Sequence, residues 1–73
     1  MDITTLLNFL PSIRGYERNF SLKEGEQAGI NPCGDTDEEG YEIYKFLGRE
    51  GQMVTYYHDG SRLIYVETMK LHD

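Results

Sequence analysis

YEIYKFLGREGQMVTYYHDGSRLIYVETMK, residues 41–70, is the stretch whose reading decides the fold. Three runs rich in β-branched and aromatic residues, about 41–47, 52–58 and 62–70, alternate with short glycine-containing breaks. That pattern predicts an antiparallel meander of three strands. Asp59-Gly60 is a strong hairpin signal. With those two residues at the centre of the turn, His58 faces Ser61, Tyr56 faces Leu63 and Val54 faces Tyr65. Reading the break after Leu47 as a loop of two or four residues adds Ile43 and Leu47 to the side of Val54, Tyr56, Leu63 and Tyr65. Tyr44, Phe46, Met53, Tyr57, Ile64 and Val66 then occupy the other side. Both faces are apolar, whereas a sheet with one wet face normally alternates with polar residues.

Working outward towards the N-terminus, Ile3, Leu6, Leu7 and Leu10 recur at helical spacing. Asp2 is placed to cap that helix and Pro11 to end it. Phe20 and Leu22 alternate with polar neighbours, which predicts a strand over residues 18–23. The fold class expected is α+β, with an N-terminal helix packed on a three- to four-stranded antiparallel sheet, in the order α-β-loop-β-β-β. Seventy-three residues make one small domain, 1–73. Residues 25–40 read as a mobile, acidic, glycine-rich loop, longer than most connections in compact domains. One helix covers one sheet face. The uncovered face is expected to close against a second copy, making a homodimer through Val54, Tyr56, Leu63 and Tyr65.

The formal charge of −6 is concentrated. Residues 24–42 hold seven carboxylates and no basic residue, and the remainder is close to balanced. No basic track exists to follow a phosphate backbone, so no direct nucleic-acid binding is expected. Asp35, Asp37, Glu38 and Glu39 form the densest acidic cluster.

DTDEEG, residues 35–40, resembles the start of an EF-hand calcium loop, with Asp35, Asp37 and Glu39 at the first, third and fifth positions. The twelfth position, where a bidentate glutamate belongs, holds Phe46, so no metal is expected. Cys33 is the only cysteine, and neither His58 nor His72 is spaced to act as its base. No phosphate-binding glycine motif is present. The expectation is therefore no enzyme, no catalytic residue and no cofactor.

One cysteine excludes an internal disulfide and favours a reducing, cytoplasmic setting. The N-terminus lacks the pattern of a signal peptide, and no apolar run is long enough to span a membrane. These features fit a small acidic protein-binding module that presents Asp35, Asp37, Glu38 and Glu39 to a basic partner. A sharper form is an inhibitor that mimics nucleic acid in the groove of a nucleic-acid-handling protein, as small acidic phage proteins do. The alternative is a homo-oligomer binding a small molecule or metal where its subunits meet.

Overall fold

The computed structural model describes residues 13–71; the helix expected over residues 3–10 lies outside them, as does His72. Strand β1 is Phe20–Ser21 and helix α1 is Leu22–Ala28. Strands β2 (Asn31–Thr36), β3 (Glu42–Leu47), β4 (Gln52–His58) and β5 (Arg62–Lys70) follow. They form one five-stranded antiparallel sheet in the order β1-β5-β4-β3-β2. Among the described residues the fold is thus α+β with five strands rather than three or four, and its helix follows the first strand.

The strand expected over residues 18–23 is cut to Phe20–Ser21 because Ser21 starts a helix. The Glu24 N–H donates to Ser21 Oγ (3.1 Å), and the Ser21 N–H donates to Glu24 Oε1 (2.9 Å). This capping box satisfies two donors that would otherwise be orphaned at the helix start. The Ser21 bonds hold the Glu24 carboxyl below its usual range. Gly29, at φ 88°, ends the helix in the left-handed conformation. The segment read as one long loop, residues 25–40, therefore holds the rest of α1, all of β2 and a tight turn.

The two loops of the meander set its registers. Gly48 N–H donates to Gln52 O (2.8 Å) and Gly51 N–H to Gly48 O (3.1 Å), closing a three-residue loop with Gly51 at φ 84°. An odd loop flips the side assignment of β3 relative to an even one. Phe46 accordingly lies opposite Val54 and Tyr44 opposite Tyr56, while Ile43 and Leu47 belong to the other face.

In the second hairpin the central pair is Gly60-Ser61, not Asp59-Gly60. Asp59 N–H donates to Arg62 O (3.1 Å), and Asp59 Oδ1 accepts from the Ser61 and Arg62 N–H groups (2.9 Å each). His58 then faces Leu63 and Tyr56 faces Tyr65. A two-residue offset keeps every side chain on its expected face. Further along, Thr55 lies opposite Glu67, so Val66 is an extra residue in β5, a β-bulge.

Phe20, Ile30, Phe46, Val54, Tyr56 and Leu63 are the buried core. The cover is built from residues 13–30. Tyr16 stacks on Phe46 (centroids 3.7 Å apart) and its hydroxyl donates to Ala28 O (2.8 Å). Helix α1 comes down onto the sheet at Gly25, where an added Cβ would overlap Leu63 Cδ1. Tyr56 is fully buried, its hydroxyl donates to Tyr16 O (2.6 Å), and burial pushes its phenol far above the usual range. The expected homodimer contact through Val54, Tyr56, Leu63 and Tyr65 is therefore corrected. The first three are the chain's own core, and Tyr65 packs against it at half burial.

Candidate functional site: an acidic hairpin and an open sheet face

The four carboxylates singled out in the sequence lie at one corner of the molecule. Asp35 sits in β2, an outermost strand of the sheet, and the other three in the turn that leads to β3. Asp37 N–H donates to Tyr41 O (2.9 Å) and Gly40 N–H to Asp37 O (3.0 Å). This is the same three-residue loop as the one at Gly48, again closed by a glycine of positive φ, 91° at Gly40. Asp37 Oδ1 accepts from the Glu39 and Tyr41 N–H groups (3.0 and 2.9 Å), so Asp37 builds the turn. Asp35, Glu38 and Glu39 are exposed and form no ion pair with any other described residue.

The edge itself is a poor template for a further strand. β2 contains Pro32, Gly34 at φ 90° and a register shift between Pro32 and Thr36. Such irregularity and charge disfavour edge-to-edge pairing. Its distinguishing property is therefore its side chains.

The second feature is the sheet face turned away from the core, to which the even-loop reading gave Tyr44 and Phe46 in place of Ile43 and Leu47. It forms three rows across β3, β4 and β5: Ile43, Tyr57 and Ile64; Lys45, Thr55 and Glu67; Leu47, Met53 and Met69. Leu47, Val66 and Met69 are each about half exposed. Tyr41 stacks on Tyr57 (centroids 5.2 Å apart) at one rim. A depression of about 370 Å3 opens here, lined by Ile43, Tyr57 and Val66 together with Asp37 and Glu67. The sequence did hold the signal for this face. Both loops read x-Glu-Gly before the next strand, the pattern of a three-residue hairpin with its glycine last.

Cys33 is exposed on β2 and makes no disulfide. His58 lies in β4, its ring 5.9 Å from that of Tyr44. Among the described residues no three His, Cys, Asp or Glu side chains converge as a metal site. A second depression, of about 470 Å3, is bordered by Arg14, Arg18, Glu17 and Glu50, a balanced mixture of charge. No helix among the described residues is long and apolar enough to cross a membrane. Compared with known proteins, the chain matches no family model, no curated protein and no solved structure.

Proposed function

We propose that this protein is a non-enzymatic protein-binding module whose acidic hairpin docks on a basic surface of a nucleic-acid-handling protein. One observation carries the reading. Asp35 in β2 and Glu38 and Glu39 in the turn after it are exposed at the sheet edge and form no ion pair with any basic side chain among the described residues. A cluster of one sign on an ordered turn raises the local potential and steers a partner of opposite sign. Because Asp37 holds the turn together, the carboxylates free to meet a partner are Asp35, Glu38 and Glu39.

The test is capture from the source cell with the wild type and with the triple variant Asp35→Asn, Glu38→Gln, Glu39→Gln. Asp37 stays in place so that the turn survives. The wild type should retain a basic protein at low salt and release it as salt rises. The folded triple variant should lose that protein already at low salt. Equal capture by both would reduce the acidic hairpin to a solvated connection and end this reading.

A further inference from the structure

We propose that the open sheet face is the contact surface for a second copy of this chain, in a two-fold dimer whose axis runs parallel to β4, midway between the facing sheets and over Thr55. This goes beyond the acidic hairpin and does not depend on it. A face with Leu47, Val66 and Met69 half exposed beside Ile43, Tyr57 and Ile64 is more apolar than a monomer ordinarily leaves to water. What selects a second copy as its occupant is the arrangement of its charges.

Within these three rows the face carries one cation and one anion, both in the middle row, while Asp37 and Arg62 lie beyond the rows. Lys45 stands opposite Thr55 on one side and Glu67 opposite Thr55 on the other, each one strand spacing of about 4.8 Å away. Neither forms an ion pair with another described residue. The rows above and below are apolar. A two-fold axis parallel to β4 and between the sheets sets β3 of one copy over β5 of the other and keeps each row at its own level. Lys45 of one copy then lies over Glu67 of the other, Glu67 over Lys45, and each apolar row over itself. An axis across the strands would instead set Lys45 on Lys45 and Glu67 on Glu67, a repulsive arrangement. Facing sheets pack about 10 Å apart and within about 30° of alignment, a gap that two long side chains can span.

The bulge at Val66 strengthens the inference. Without the extra residue, Val66 would face Thr55 and Glu67 would lie opposite Val54, turned towards the core. The bulge moves Glu67 onto the open face and so completes the antisymmetric row. Bulges commonly re-aim a side chain in this way.

Sedimentation equilibrium on the full chain at tens of micromolar tests the proposal. The wild type should have the mass of two chains. Lys45→Glu and Glu67→Lys should each weaken association by about tenfold or more, because each places like charges face to face. The double variant Lys45→Glu/Glu67→Lys should restore the dimer, and a mixture of the two single variants should form a mixed dimer. Unchanged circular dichroism confirms that the variants are folded. A monomeric wild type overturns the proposal, whether residues 1–12 or a different protein then cover the face. Dimers indifferent to both single reversals, or not restored by the double one, overturn it equally.

Discussion

Gly25 and Tyr56 show how far single residues decide this fold. Gly25 lies where α1 touches Leu63, with no room for a methyl group. Gly25→Ala would raise helix propensity by about 1 kcal/mol. The clash falls on a leucine that is itself fully buried, and overpacking typically costs about 1–3 kcal/mol. The expected net result in urea unfolding is a loss of stability, partly recovered by Leu63→Val. Tyr56 donates its only hydroxyl proton to Tyr16 O, tying residues 13–20 to the sheet. Tyr56→Phe should cost about 1–2 kcal/mol through the stranded carbonyl. It should also change the alkaline limb of stability. Burial raises the folded-state pKa of Tyr56 above its unfolded value near 10. Its contribution is therefore complete below that value and lost as pH rises beyond it. The fall in melting temperature above about pH 10 should be shallower in Tyr56→Phe than in the wild type.

At the scale of elements, turns and caps matter more than strand composition. The three meander strands were legible in the sequence because their β-branched and aromatic runs are long and their breaks contain glycine. Their faces were only partly legible. The Asp59-Gly60 reading slipped by two residues, which spared the face assignment, whereas the loop after Leu47 was misjudged by one, which inverted β3. A period of two makes an odd error fatal and an even one harmless. Helix α1 was hidden because Phe20 and Leu22 alternate like a strand, although Ser21, Glu24 and Gly29 already spelled a capping box and a helix stop. Ser21→Ala should cost about 1 kcal/mol. Glu24 is held below its usual range by the Ser21 bonds, so its contribution is present above about pH 4–5 and fades as pH falls through the folded-state value. Glu24→Gln should flatten the acid limb of the stability curve. Gly51→Val forces a β-branched residue into the left-handed region and should destabilise by about 1 kcal/mol or more. Gly40→Val should behave alike, and equilibrium unfolding of the two variants checks this.

At the scale of the whole molecule, residues 13–30 cover one face of the sheet and no other described element covers the second, and the dimer proposal depends on which is which. The apolar character of both faces was readable in the sequence. The cover was not, because Tyr16, Ile30 and Gly25 come from stretches without periodicity and are brought over β3, β4 and β5 only by tertiary contacts. The acidic cluster was readable as composition, while its placement on a sheet edge and a hydrogen-bonded turn required the backbone pattern around Asp37. The most direct test of the account is a nuclear Overhauser spectrum of the methyl and aromatic protons of the wild-type chain. It should show cross-peaks from Phe46 to Val54 and Tyr16, and from Leu63 to Ile30 and the Gly25 α-protons. Cross-peaks from Leu47 to Val54 and from Ile43 to Tyr56, with none from Phe46 to Tyr16, would contradict it.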